Sequence, residues 1–101
     1  MTQTQKMIDN SKKEIELYIT EMLGSSVDAI ELMRTKMDIH KNVIYALKEQ
    51  KINDLNEKHY EEISKILDGI RKIKGETPLY LINDKVSVLI DHINFIQVIE
   101  N

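Results

Sequence analysis

Apolar residues recur along the chain at spacings of three and four, the pattern of an α-helix with one buried face. The first such face consists of Ile15, Tyr18, Ile19 and Met22. The second, longer series consists of Ile30, Met33, Met37, Ile44 and Leu47. The third face, out of phase with the second, consists of Ile63, Ile66, Ile70 and Ile73. The pattern therefore predicts three helices before the last quarter of the chain.

Glycine and capping residues place the ends of the first helix. Gly24 suits the left-handed position that follows a helix C-terminus. Ser11 with Glu14 three residues later matches a capping box, in which each side chain accepts a hydrogen bond from the other residue's backbone N–H. We therefore expect helix 1 at 11–23, with residues 1–10 as a frayed extension.

Two further capping signals start helices 2 and 3. Ser25 and Asp28 form a second capping-box-like pair directly before the longer apolar series. Asn53 or Asp54 is expected to cap helix 3, because Asn and Asp side chains accept hydrogen bonds from the first turn. The chain is therefore expected to turn between these two helices rather than continue as one.

The clearest boundary in the chain is the sequence Gly75-Glu76-Thr77-Pro78. Glycine suits the end of helix 3, threonine suits the cap of a new helix, and proline fits the first helical position. A separate fourth element therefore starts here.

Two interpretations compete for this fourth element. Apolar residues alternate with others between Lys85 and Ile90, as in a strand, but Ile93 and Phe95 fall in the opposite register. A heptad-spaced series fits without a miss, and it consists of Leu79, Ile82, Val86, Leu89, Ile93 and Ile96. We therefore predict a helix.

The predicted fourth helix carries a second apolar row, here called the outer row. It lies beyond Lys85 and His92 when residues are placed at about 100° intervals. The outer row consists of Leu81, Val88, Phe95 and Ile99. The two rows together cover about half of the circumference, where a surface helix shows an apolar stripe of somewhat over 100°. Either the other helices bury the outer row, or a partner molecule covers it.

The composition agrees with an all-α protein. The 101 residues include one Pro and three Gly, too few for the turns of a many-stranded sheet. We predict a single domain over 1–101, built as a compact antiparallel bundle of four helices with the last one most deeply buried. The predicted helices are 11–23, 26–50, 54–74 and 78–99.

The absence of cysteine and the net charge exclude several classes of site and partner. The absence of Cys excludes disulfides, thiolate metal sites and a cysteine nucleophile. The net charge is −3 and the basic residues alternate with acidic ones, so no nucleic-acid partner is expected. No segment has the apolar core of a signal peptide or the length of a membrane span. We therefore expect a cytoplasmic protein without a membrane partner.

The histidines are the best candidates for chemistry. His40 falls in the apolar series of helix 2, and His59 lies one turn before Ile63 on helix 3. In an antiparallel hairpin these histidines are offset by about 9 Å along the helices, too far to share a metal ion. The chain contains no Glu-x-x-His pair, phosphate-binding glycine loop or nucleophile motif. We therefore predict partly buried structural histidines, no enzymatic activity, and no metal or cofactor.

These observations favour protein binding as the function. The expected protein is a small adaptor, chaperone or inhibitor that binds another protein or a second copy of itself as a homodimer. The outer row is the candidate interface, and Met22, Met33 and Met37 offer a second adaptable apolar group. Two alternatives stay open: a small ligand- or metal-binding bundle that uses His40 or His59, and a nucleic-acid-associated accessory or regulatory protein.

Overall fold

The computed structural model describes residues 2–49, 55–73 and 79–100, with side chains in the last range described from Leu81 to Phe95. The described residues form helices and no strands. The helices are α1 (Gln3–Met22), α2 (Val27–Glu49), α3 (Glu57–Arg71) and α4 (Leu79–Glu100). α1 packs along α2, α4 contacts both α2 and α3, and α1 also contacts α3. The prediction of an all-α bundle of four helices is confirmed.

The first helix is longer than the sequence pattern indicates. α1 starts at Gln3, where the Oγ1 of Thr2 accepts a hydrogen bond from the backbone N–H of Gln5 at 3.1 Å. The predicted start at Ser11 is therefore wrong, and residues 3–10 are helical rather than frayed. The buried residues of α1 are Thr4, Met7, Ile8, Ser11 and Tyr18. Thr4 and Ser11 are polar, so the spacing of apolar residues alone does not identify the buried face of α1 in its N-terminal half.

The turn between α1 and α2 matches one prediction and corrects another. Gly24 has a φ of +78°, which is the left-handed geometry expected after the end of a helix. Ser26, rather than the predicted Ser25, caps α2, because its Oγ accepts a hydrogen bond from the N–H of Ala29 at 3.3 Å. The hydroxyl of Ser25 instead donates to the carbonyl of Glu21 at 2.6 Å. When two serines are adjacent, the path of the turn decides which one caps.

α3 begins at Glu57, after the predicted residue 54, with Asn56 as its cap. The Oδ1 of Asn56 accepts a hydrogen bond from the N–H of His59 at 2.9 Å. Just before the cap, the buried residue Leu55 donates its N–H to the Oγ1 of Thr4 at 2.9 Å, which ties the start of α3 to α1. α3 ends at Arg71 with Lys72 as its C-cap, so the predicted end of helix 3 at 74 is wrong, and the cap at Asn56 likewise replaces the predicted caps at Asn53 or Asp54. The predicted boundary at 75–78 lies outside the described residues.

The core lies where α2, α3 and α4 meet beneath α1. α4 contributes Ile82, Leu89 and Ile93, three fully buried members of the predicted heptad series. The rest of the buried apolar cluster consists of Met7, Ile8, Ile39, Val43, Leu47, Leu55, Ile63 and Ile70. The heptad series therefore identifies the inner face of α4 correctly, and the helical interpretation of this segment is confirmed.

Alanine substitutions at two glycine positions should change the free energy of unfolding in opposite directions. A Cβ added at Gly69 would meet only the Nζ of Lys85 at 3.7 Å, an ordinary contact. Gly69→Ala is therefore expected to raise the free energy of unfolding by about 0.5–1 kcal/mol, since alanine favours the helix interior. Gly24→Ala is the matched control and should lower it by about 1 kcal/mol, because of its positive φ. Urea denaturation measures both changes, and a destabilised Gly69→Ala variant would contradict the packing described here.

Candidate functional site

Three members of the outer row lie on the surface of α4. The exposed fractions are 39% for Leu81, 49% for Val88 and 57% for Phe95. The side chain of Ile99 lies outside the described residues. The three described residues are seven positions apart, so they form one row about 21 Å long at the rise of an α-helix. This row therefore faces away from the core residues of the same helix.

Charged residues border the outer row on both sides. On the side towards α3, the Nζ of Lys85 lies near Gly69, and the Nδ1 of His92 lies 3.5 Å from the Oε2 of Glu62. On the other side of the row, helix geometry places the exposed carboxylates of Asp84 and Asp91. The apolar row thus runs between two acidic side chains on one edge and Lys85, with the His92–Glu62 pair, on the other.

A second feature is a set of buried polar groups where α3 ends. Lys36 of α2 is 6% exposed, and its Nζ donates to the carbonyl of Arg71 at 3.2 Å and to the carbonyl of Ile73. The guanidinium of Arg71 pairs with the carboxylate of Glu14 on α1. Burial lowers the pKa of Lys36. One lysine therefore caps the C-terminal carbonyls of α3, and the neighbouring ion pair joins the same end to α1.

His40 lies next to these groups and is almost completely buried. It is 2% exposed, and its Nδ1 lies 3.0 Å from the Oγ of Ser11. Among the described residues its Nε2 has no hydrogen-bond partner. Burial, and secondarily the positive charge of Arg71, lower the pKa of His40 from 6.5 to about 4. The imidazole is therefore neutral at physiological pH.

Tyr18 packs beside His40, with the two ring centroids 6.2 Å apart. Burial, followed by the negative charge of Glu14, raises the pKa of Tyr18 to about 12. No described partner of its hydroxyl meets the full geometry of a hydrogen bond, although Glu14 is close enough to contribute to this shift. The tyrosine hydroxyl therefore stays protonated and does not act as a base.

A cleft of about 500 Å³ lies between α1 and α3, and His40 and Ser11 are part of its lining. The Nδ2 of Asn10 donates to the hydroxyl of Tyr60 at 3.2 Å across the same cleft. The Glu14–Arg71 ion pair also joins the two helices within the cleft lining. The cleft is thus bridged by two polar contacts and reaches a buried imidazole.

The sequence did not predict this cleft. His40 was expected to be a partly buried structural histidine, and the structure buries it almost completely. His59 is half-buried on α3 and is not among the residues that line the cleft. Ser11 and Lys36 were not expected in the interior, although both occupy helical positions in line with buried residues. Their position in the helical register was the one sequence feature that indicated burial of these two residues.

Two further features are absent from the described residues. No group of three or more His, Cys, Asp or Glu side chains is placed to hold a metal ion. No described helix is both long enough and apolar enough to cross a membrane.

Comparisons with known proteins add no relative. No protein-family model matches the chain, and neither the curated proteins nor the solved structures give a significant match.

Replacing Lys36 tests its role at the end of α3. Lys36→Met keeps the length of the side chain but leaves the carbonyls of Arg71 and Ile73 without this donor. We expect a loss of about 1–3 kcal/mol in the free energy of unfolding, the usual cost of unpaired buried polar groups. Lys41→Met, at an exposed position of the same helix, is the control and should change stability little. Equal effects of the two substitutions in urea denaturation would refute the capping role.

The low pKa of His40 predicts acid sensitivity. Between pH 6.5 and about 4 the imidazole takes up a proton in the unfolded chain but not in the folded one, so the free energy of unfolding falls as pH is lowered. The loss from this group is at most about 3 kcal/mol, at 1.36 kcal/mol per pKa unit. Urea denaturation between pH 7 and 4 should show a shallower pH dependence for His40→Gln than for the unsubstituted protein. Parallel curves would contradict the buried neutral imidazole.

Proposed function

We propose that this protein is a small cytoplasmic protein-binding module, of the adaptor, chaperone or inhibitor type, that docks an apolar helix of a partner on the outer row. The observation that carries the proposal is the exposure of Leu81, Val88 and Phe95 in one line along α4. Single exposed apolar residues are common on protein surfaces and need no explanation. A straight row with heptad spacing is what an amphipathic partner helix requires.

The charged borders of the row favour a partner of defined orientation. A docked helix with basic residues on one side and acidic residues on the other could place the basic side along Asp84 and Asp91. Its acidic side would then lie along Lys85. Such complementary edges contribute more to orientation and association rate than to affinity. The row therefore supports selective docking of one helix in one direction.

The size of the row favours a reversible complex. Stable protein interfaces bury about 1,200–2,000 Å² in total, and three partly exposed side chains supply only a small part of that area. An obligate homodimer through this row alone is therefore not supported. A second copy of the chain remains one of the partners that the experiment below distinguishes.

Site-specific photocrosslinking tests the outer row in the native host. A photoreactive phenylalanine analogue at Val88 is expected to capture a discrete partner, because this residue lies at the centre of the row. The same analogue at Leu23, which is 82% exposed on the α1–α2 turn, is the positional control and should not capture it. Mass spectrometry of the crosslinked product identifies either a different protein or a second copy of this chain.

A charge placed in the row should abolish the capture. Phe95→Asp is expected to reduce crosslinking from Val88 by about tenfold or more, as for a central interface residue. Its circular dichroism should stay unchanged, since Phe95 is 57% exposed. Tyr45→Asp, at a 63% exposed position on α2, is the matched control. Equal crosslinking at Val88 and Leu23, or capture that survives Phe95→Asp, would refute the proposal.

A further inference from the structure

The α1–α2 hairpin extends past the point where α3 ends. Arg71, the last residue of α3, pairs with Glu14 of α1, and its carbonyl accepts a hydrogen bond from Lys36 of α2. From Glu14 to its last residue, Met22, α1 continues for about 12 Å at the rise of an α-helix. Residues 14–36, here called the hairpin end, therefore project beyond α3.

The hairpin end has a groove between its two helices. The groove has a volume of about 360 Å³, and among the described residues only Arg71 lines it from outside the hairpin. Leu17 of α1, which is 54% exposed, and the half-buried Leu32 and Met33 of α2 form its apolar part. Methionine adapts to partners of different shape. A helix laid along this groove would therefore cover apolar surface that α3 leaves open.

Negative charge predominates at the hairpin end. The exposed Glu21 is part of the groove lining. The two basic residues of the lining are already engaged, Lys36 with the last carbonyls of α3 and Arg71 with Glu14. The acidic residues within 14–36 are Glu14, Glu16, Glu21, Asp28 and Glu31, and the basic ones are Arg34 and Lys36.

This charge decides between possible occupants of the groove. A second copy of the chain docked by the same face would bring the same negative charge, and like charges oppose such pairing. Nucleic acids and anionic lipid surfaces are repelled for the same reason. A helix with basic residues beside an apolar stripe gains both electrostatic attraction and apolar contact.

We propose that the groove at the hairpin end binds an amphipathic helix of a partner protein, with Lys or Arg residues beside its apolar stripe. None of the lining residues belongs to the outer row, so this surface is separate from the one assigned above. A chain with two separate docking surfaces can join two partners.

Two designed peptides form a matched pair of probes. Each is a helix of about 14 residues with the same leucine stripe, and the polar positions are all Lys in one and all Glu in the other. In fluorescence anisotropy the Lys peptide is expected to bind about tenfold or more tightly than the Glu peptide, because like charges oppose docking. Its binding should shift the backbone amide resonances of Leu17, Ala29 and Met33 saturably in NMR spectra.

Substitutions at Leu17 and Ile19 test the apolar part of the groove. These side chains are 54% and 52% exposed, and they lie on opposite sides of α1 because they are two residues apart. Each change to Asp adds one negative charge, which by itself favours the Lys peptide. Leu17→Asp should nevertheless weaken its binding about tenfold, since a contact residue is lost. Ile19→Asp is the control and should change it by less than about twofold.

Charge reversal tests the acidic part of the groove and does not depend on Leu17. Glu21→Lys should weaken binding of the Lys peptide about tenfold, because it places like charge at the groove. Glu49→Lys changes the net charge equally and is the control. Glu49 lies about 24 Å along α2 from Met33, beyond the Debye length of about 8 Å at physiological ionic strength. Circular dichroism should show the same helix content in every variant.

Phe95→Asp separates this surface from the outer row. It should leave the affinity for the Lys peptide and the shifts at Leu17 unchanged, whether or not it abolishes capture at Val88. Either surface can therefore fail its test without the other.

Four results would overturn the proposal. The first is equal affinity for the two peptides, and the second is equal effects of Leu17→Asp and Ile19→Asp. The third is a set of amide shifts centred on Val88, which would place the peptide on the outer row. The fourth is a dimer in analytical ultracentrifugation that Leu17→Asp dissociates, since the groove would then belong to a second copy of the chain.

Discussion

The C-terminal end of α3 must have its backbone carbonyls satisfied, and the arrangement of three helices follows from how this is done. A helix leaves its last carbonyls without internal partners, and burying them unpaired is costly. Lys36 supplies the donor from α2, while Arg71 at the same end reaches Glu14 on α1. The lysine stays inside because these contacts compensate part of its desolvation. One helix end therefore fixes α1, α2 and α3 relative to one another.

α4 is held differently, by apolar packing on its inner face. Ile82, Leu89 and Ile93 are fully buried against α2 and α3, while the outer row stays exposed. The wide apolar arc of this helix is thus divided between a core face and a surface face. The outer row thus belongs to α4, whereas the buried polar groups belong to α1, α2 and α3.

The periodicity of the sequence was sufficient to predict that α2 and α4 are helices, and it identified the inner face of α4, where Ile82, Leu89 and Ile93 are buried. It did not identify the buried face of α2, because Leu47 is the one member of the predicted series that is fully buried there. It failed at the start of α1, where Thr4 and Ser11 occupy buried positions. It failed again at Lys36. Each of these polar groups is satisfied by a residue distant in sequence: Thr4 by Leu55, Ser11 by His40, and Lys36 by the end of α3. A local pattern contains no information about such partners, so the polar cleft required the three-dimensional structure.

The connectivity of the bundle also sets the order in which it assembles. α1 and α2 are neighbours in sequence with extensive mutual packing, so their hairpin forms after closure of one short turn. α4 completes the core through contacts with α2 that span a long stretch of chain. Before it docks, both of its apolar rows face solvent, and at high concentration they can pair with the hairpin of another molecule. The helix that carries the exposed outer row in the finished bundle is thus also the segment most prone to exchange between chains during folding.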